Sequence, residues 1–213
     1  MTNDISTVLL SSKGVKLVPN LRSLEPGLVY IHAPSSDRMD LCIARQTQQR
    51  RGDVWLSERK YQLEYRQGTF EVVRDFGDRS GMEVFDSMYQ EGHLFRADRT
   101  SPPFIALQQY LANHLGSSDI GDVVAVTTGV KVVGSVGQLE TGKLYIDVSD
   151  QRRIRAAVAR ELNKGRDILL NRSVFQFDMK PNGPDVYGYY PDSALITYPD
   201  AIQAGNLFVQ PLQ

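Results

Sequence analysis

The chain has 213 residues, of which 41% are hydrophobic and 23% are charged, and its formal net charge at pH 7 is -1. These values are typical of a folded globular protein, so they argue against a disordered chain or a membrane span, and the balanced charge demands neither nucleic acid nor a membrane as partner. The polar start lacks the order of a secretory signal, so we expect a cytoplasmic protein or one assembled into a particle.

The most informative feature is an internal repeat. Residues from Asp4 onward align with residues from Asp119 onward, without a gap, for about thirty positions, where composition alone gives roughly two identities. The identical pairs include Asp4/Asp119, Val8/Val123, Gly14/Gly129, Val18/Val133, Leu24/Leu139, Glu25/Glu140, Gly27/Gly142 and Tyr30/Tyr145. We therefore predict a tandem duplication, with a first α+β repeat at residues 1–97, a linker at 98–118 and a second repeat at 119–213.

Each repeat is predicted to open with a hairpin of two short apolar strands around a glycine turn. The predicted strands are Thr7–Ser11 and Val15–Val18 in the first repeat, and Val123–Val126 and Val130–Val133 in the second. A Leu-Glu-x-Gly turn follows, in which Gly27 and Gly142 suit a left-handed backbone conformation. The chain then enters a strand in both repeats.

The next segment of each repeat predicts a helix of about four turns, because its apolar residues recur at spacings of three and four. The apolar positions are Met39, Cys42 and Ile43 in the first repeat, and Ile154, Ala157, Val158 and Leu162 in the second. Three strands and a closing turn and strand follow. The strands are Val54–Ser57, Lys60–Arg66 and Thr69–Arg74, then Ile168–Leu170, Val174–Met179 and Asp185–Tyr190. Each unit is thus β-β-β-α-β-β-β plus a closing strand, an α+β module.

Between the repeats, the sequence predicts a linker helix over Pro103–Leu115. Proline at the first turn and Gly116 after the end are typical helix boundaries. One apolar stripe follows the helical spacing and consists of Phe104, Leu107, Leu111 and Leu115. Such a stripe must be buried against one repeat, between the repeats or against another chain, so it is a candidate interface.

Arginines at equal positions in the two repeats are the candidate binding residues. They are Arg38, Arg45 and Arg51 in the first repeat, and Arg153, Arg160 and Arg166 in the second. On the predicted helix they flank the apolar face, where they would bind an anion or pair with acids such as Glu25 and Glu140. The structural role is preferred because each basic stretch also contains acids.

No motif for a nucleophile, a phosphate loop or a cofactor is present, so we expect a non-enzymatic protein without metal or cofactor. The three histidines, His32, His93 and His114, lie far apart in the sequence. Cys42 is the single cysteine and has Ala157 as its counterpart, which indicates a small buried side chain.

Three functions fit the sequence, and we favour the first over the other two. The first is a structural or assembly protein whose repeats make quasi-equivalent contacts by self-association in a larger complex, such as a viral or phage particle. In the second, the predicted order of strand, helix and three strands resembles the paired modules of the vicinal oxygen chelate fold, which implies a small-molecule or metal-binding enzyme. Its implied ligands would come from His32, Glu64, Glu71, Asp147 and Asp178. The third is a nucleic-acid or polyanion binder using the arginine-flanked helices.

Overall fold

The computed structural model describes residues 4–20, 23–25, 27–35, 38–44, 47–50, 53–57, 59–77, 82–84, 86–115, 119–150, 153–162, 167–170, 173–180, 183–191 and 198–210. The chain divides into two compact units, Met1–Tyr110 and Leu111–Gln213. Both units combine helices with antiparallel sheets, which confirms the α+β class.

The first unit contains three helices and nine strands among its described residues. In chain order they are α1 (Ile5–Ser11), β1 (Val15–Leu17), β2 (Val29–Ser35), β3 (Arg38–Ile43), β4 (Thr47–Arg50), β5 (Asp53–Ser57), β6 (Tyr61–Arg66), β7 (Thr69–Asp75), β8 (Met82–Val84), α2 (Asp86–Gln90), β9 (Leu94–Ala97) and α3 (Pro102–Asn113). The last helix runs across the division between the units.

The second unit contains α4 (Ile120–Val126), β10 (Lys131–Val132), a 3-10 turn (Val136–Gln138), β11 (Leu144–Asp150), β12 (Arg153–Leu162), β13 (Asp167–Leu170), β14 (Ser173–Lys180), β15 (Gly183–Pro191), α5 (Tyr198–Gln203) and β16 (Leu207–Gln210). The predicted last three strands of each repeat are present, within one or two residues at their ends.

The main sheets of the two units have the same strand order. It is β1-β9-β2-β3-β6-β7 in the first unit and β10-β16-β11-β12-β14-β15 in the second. The first unit adds a separate sheet, β4-β5-β8, whereas in the second unit β13 pairs with β12. In both main sheets the closing strand, β9 or β16, lies between the first two strands of its unit. The rest of the sheet consists of the antiparallel pairs β2–β3 and β6–β7 in the first unit, and β11–β12 and β14–β15 in the second.

The cores of the two units use matching positions. The first cluster contains Val18, Tyr30, Cys42, Ala44 and Leu94, together with Met82. The second contains their counterparts, Val133, Tyr145, Ala157, Ala159 and Leu207, together with Leu139, Ala201 and Ile202. Burial of Cys42 beside Tyr30 confirms the expected packing role of the cysteine.

The predicted N-terminal hairpin is wrong, because its first strand is a helix in each unit. Asp4 caps α1 by accepting a hydrogen bond from the N–H of Ser6, and Asp119 caps α4 by accepting one from the N–H of Asp122. A capped start at an aspartate stabilises a helix by satisfying a free backbone donor. The apolar run therefore buries one face of a short helix.

The predicted four-turn helix is also wrong, because the segment forms β3 in the first unit and β12 in the second. All the residues from Met39 to Ala44 are buried. A strand buried on both faces has a continuous apolar run, which lacks the alternation of a half-exposed strand and imitates helical spacing. The resemblance to the vicinal oxygen chelate fold rested on a helix here, so it falls with that prediction.

The predicted linker helix is present as α3. The ring of Tyr110 packs edge to face on Tyr61, with centroids 6.0 Å apart, and Arg99 lies over the ring of Phe104. In the described part of the chain, no helix is long and apolar enough to cross a membrane.

Candidate functional site

The six arginines do not form the predicted helical flank. Arg38 is in β3, and its exposed guanidinium donates to Asp40 Oδ2 from 2.8 Å. Arg153 and Arg160 belong to β12, whose backbone alone is described at those positions. Arg45, Arg51 and Arg166 lie outside the described residues. A repeated anion site stays a prediction. The helix on which it was predicted is a strand in both units.

The apolar stripe of α3 is buried within the chain itself. Phe104 is 4% exposed, whereas Leu107 and Leu111 are fully buried. Leu115 follows the end of the helix and is partly exposed. Three of the four proposed interface residues therefore present no free apolar surface to another chain in this structure.

Four polar side chains lie side by side across the first main sheet. His32 of β2 is opposite Asp40 of β3, Asp40 is opposite Gln62 of β6, and Gln62 is opposite Arg74 of β7. Directly opposed residues share a face of the sheet. We call this set the polar row. It lies on the same face of the sheet as the buried residues Tyr30 and Cys42.

Asp40 is the centre of the polar row and is only 4% exposed. Its Oδ2 accepts hydrogen bonds from Arg38 at 2.8 Å and from the ammonium group of Lys60 at 3.4 Å. Its Oδ1 has no hydrogen-bond partner among the described residues. Burying a carboxyl group with one unpaired oxygen is costly, and the hydrogen bonds from Arg38 and Lys60 offset part of that cost.

His32 faces this carboxylate from the neighbouring strand. Burial lowers the pKa of His32 below its ordinary value of 6.5, and the cations Arg38 and Lys60 and the ring of His93 lower it further, whereas Asp40 raises it. Because burial is the largest of these effects, the imidazole is held in its neutral form. The first unit thus has a neutral ring opposite a buried anion.

The second unit has a different pair of opposed residues at the corresponding positions of its main sheet. Asp147 and Arg155 occupy the positions of His32 and Asp40, and they are again opposite each other. Asp147 is fully buried, and its Oδ2 accepts from Arg155 at 2.7 Å. Its Oδ1 accepts from both the backbone N–H and the hydroxyl of Ser149. This carboxylate is fully partnered. The acid of the opposed pair is on β3 in the first unit and on β11, the counterpart of β2, in the second.

A tyrosine ties down the Leu-Glu-x-Gly turn in each unit. The hydroxyl of Tyr30 accepts from the N–H of Glu25 at 2.9 Å, and that of Tyr145 accepts from Glu140 at 2.7 Å. Burial raises the pKa of Tyr30 to about 12, so its hydroxyl stays protonated. The sequence shows both tyrosines as identical in the repeat, and that identity was the available signal for this bond.

The glycine of the same turn has positive φ in each unit, as predicted. The φ angles are 75° at Gly27 and 85° at Gly142. Their N–H groups donate to the carbonyls of Ala44 and Ala159 at 2.7 and 2.8 Å. The turn is therefore fixed to the strand that follows β2 or β11, and any residue with a Cβ would be strained there.

The main sheets have edges of unequal length. At one side the first sheet ends in β1, of 3 residues, and the second in β10, of 2 residues. At the other side they end in β7, of 7 residues, and β15, of 9 residues. Within the described ranges no further strand pairs with either long strand. The sequence did not predict which strands lie at the edges, because that depends on where β9 and β16, which are distant in sequence from their partners, join the sheet.

In the described part of the chain, the proposed metal ligands form no metal cluster. Among the described residues, no three His, Cys, Asp or Glu side chains lie close enough to hold a metal ion. Glu64 is paired with Arg66, and Asp147 is paired with Arg155. Glu71 lies on β7 opposite Glu64, and the side chain of Asp178 is outside the described set.

The two units share the strand order of the main sheet, but they differ in the polar residues that lie opposite each other on it. No protein-family model, no curated protein and no solved structure matches the chain.

Proposed function

We propose that this chain is a non-enzymatic assembly protein whose units arose by tandem duplication and make quasi-equivalent contacts, through self-association, in a larger complex such as a viral or phage particle. The setting we propose is the cytoplasm or the assembled particle. Support comes from the shared strand order and from the matching turn bonds of Tyr30 and Tyr145. Nothing in the polar row requires a reaction.

The observation that carries the proposal is the pair of long edge strands. A strand at a sheet edge offers unpaired N–H and C=O groups that another chain can bind by adding a strand. Native proteins often shorten an edge to prevent such pairing, as at β1 and β10. The long β7 and β15 are not shortened, and each is interrupted by a single register shift, after Val72 and after Val186. Each unit therefore retains a regular edge segment suited to a contact, residues 69–72 and 183–186.

Duplication gives such an edge a particular use. A chain with two related units presents two related contacts, so a trimer of duplicated chains can imitate a six-fold ring. The two contacts need to be similar rather than identical.

The test is the absolute mass of the purified chain by light scattering across a range of concentrations, with absorbance at 260 and 280 nm read on the same peak. We expect a defined oligomer, or a mass that rises with concentration, without nucleic acid. A monomer at all concentrations would contradict the proposal. A peak rich in nucleic acid would favour the polyanion-binding alternative, which lacks a specific structural observation in its support.

A further inference from the structure

The first helices of the two units, α1 and α4, are equivalent in the repeat but differ in burial. Each begins after a capping aspartate, Asp4 or Asp119, and each has seven residues. In α4 every residue from Gly121 to Val126 is buried. The buried residues of α1 are Ile5, Val8 and Leu9. One helix is therefore covered on all its faces, whereas the other is covered on the core side alone.

The difference lies on the side of the helix that points away from the core of its unit. Three exposed positions of α1 share that side, and we call them its outer face: Thr7, Leu10 and Ser11. The counterparts in α4, its outer face, are all buried: Asp122, Ala125 and Val126. Leu10 is 55% exposed, whereas Ala125 is 1% exposed. Other residues of the same chain therefore cover the outer face of α4.

The outer face of α1 has the composition of a contact surface. A helix that rests on a core usually carries charged side chains on the side that faces water. The sequence of α1, Ile5–Ser11, contains no charged residue. Depletion of charged residues is the compositional signal of an interface core. Leu17, on the strand β1 that follows α1 and contacts it, is also 43% exposed.

The covered face of α4 indicates what covers the equivalent face of α1. Units that make quasi-equivalent contacts use the same face in each contact. This chain covers one of its two equivalent outer faces by itself, so the other is left for a further copy of the chain. Such a contact is heterologous, because each partner contributes a different surface. Its repetition closes a ring or extends a filament.

We infer that the outer face of α1 binds a second copy of this chain, which covers Leu10 as the chain itself covers the outer face of α4. This inference rests on the proposed function, because it identifies the face and the partner of one of the quasi-equivalent contacts. The two contacts are similar and not identical, since a leucine stands at the position of the smaller Ala125. The second copy therefore receives a larger apolar side chain.

The first test compares Leu10→Lys with Val136→Lys by light scattering across concentrations. Both residues are apolar and about half exposed, at 55% and 49%, so neither substitution disturbs a core. We expect Leu10→Lys to raise the dissociation constant of the self-association at least about tenfold, because the contact would bury the new charge. Val136→Lys should leave it unchanged. Equal effects of the two variants, or no effect of Leu10→Lys, would overturn the inference. Circular dichroism checks that both variants are folded.

The second test keeps Leu10 in place and measures how accessible the face is. In a Cys42→Ala background, Thr7→Cys puts a thiol on the outer face of α1, and Ser135→Cys puts one at an exposed position of the second unit. We expect the rate of labelling by a thiol reagent to fall with rising protein concentration for Thr7→Cys and to stay constant for Ser135→Cys. A constant rate for Thr7→Cys would leave the face to solvent or to a different protein and would refute the inference.

The outcomes separate the inference from the proposed function. If the chain assembles but Leu10→Lys assembles equally well and the thiol of Thr7→Cys stays accessible, the inference is wrong and the proposed function stands. If the unmodified chain is a monomer at every concentration, both are wrong. Each result therefore supports or overturns a named statement.

Discussion

At His32, the first unit places a neutral ring opposite a buried carboxylate, and this makes its stability depend on pH. The folded state lowers the pKa of His32 mainly through burial, so the unfolded chain binds a proton more readily. This stabilising contribution is complete above pH 6.5 and is lost as the pH falls towards the folded pKa. The groups that face the ring are Asp40, Arg38, Lys60 and His93.

We therefore predict that His32→Gln reduces the loss of stability between pH 7 and pH 5, because its side chain does not titrate. The measurement is urea unfolding at several pH values, with the free energy of unfolding compared between the variant and the original chain. His114→Gln, at an exposed position of the same residue type, serves as the control. Identical pH profiles for the original chain and His32→Gln would show that His32 is not the group responsible.

The turn tyrosines allow a residue-scale test in both units. Tyr30→Phe and Tyr145→Phe each remove the acceptor for a backbone N–H and keep the packed ring. We expect each variant to lose about 1 kcal/mol of stability, the net value of such a bond. Thermal unfolding measures this. Tyr65→Phe, at an exposed ring, is the control and should change stability by less than about 0.5 kcal/mol.

At the scale of elements, the sequence predicted the helices and strands whose apolar periodicity or boundary residues were unambiguous. The six strands after the predicted helices and α3 were found, as were the left-handed turns at Gly27 and Gly142. The sequence failed where burial on two faces hid the alternation of β3 and β12. It also failed at α1 and α4, where a short apolar run fits both a strand and a helix, and the deciding signal was the aspartate before it.

The candidate site was less predictable than the elements. The polar row is built from four strands that are distant in sequence, so no local spacing reveals it. The repeat did carry one usable signal: the pair His32 and Asp40 corresponds to Asp147 and Arg155, so both members change together. Such paired changes indicate contact, but reading them required the register of the strands.

The base of the β6–β7 hairpin is held by an ion pair. Arg59 donates to both carboxylate oxygens of Asp75 at 2.7 and 2.8 Å, and both side chains are largely buried. The N–H of Gly77 also donates to Asp75 at 2.8 Å. The pair closes the hairpin at the end opposite its turn and thereby fixes the position of the β7 edge.

Arg59→Met should therefore destabilise the first unit by about 3 kcal/mol, since it leaves a buried carboxylate without its cation. The control is Lys16→Met, which removes an exposed ion pair with Asp98 and should cost less than about 1 kcal/mol. Chemical denaturation at neutral pH compares the two. A loss for Arg59→Met as small as that for Lys16→Met would mean that water replaces the guanidinium at Asp75.

At the scale of the whole molecule, the two units share a framework and differ in their polar residues. Their main sheets have the same strand order, and their clusters contain the matching residues Tyr30 and Tyr145. If this framework descends from one ancestral unit, the polar row of the second unit should fit in the first. The residues to transplant are Asp for His32, Arg for Asp40 and Val for Lys60, taken from Asp147, Arg155 and Val174.

Asp40→Arg alone should be strongly destabilising, because it places an arginine beside Arg38 and Lys60 and removes the acid that they bind. In the triple variant His32→Asp, Asp40→Arg, Lys60→Val, the new aspartate faces the new arginine as Asp147 faces Arg155. We expect the triple variant to recover at least about 2 kcal/mol relative to the sum of its single changes, the coupling typical of residues in contact. Denaturation of all four variants measures that coupling. Strict additivity would mean that the two sheets match in strand order but not in the geometry that a shared framework requires.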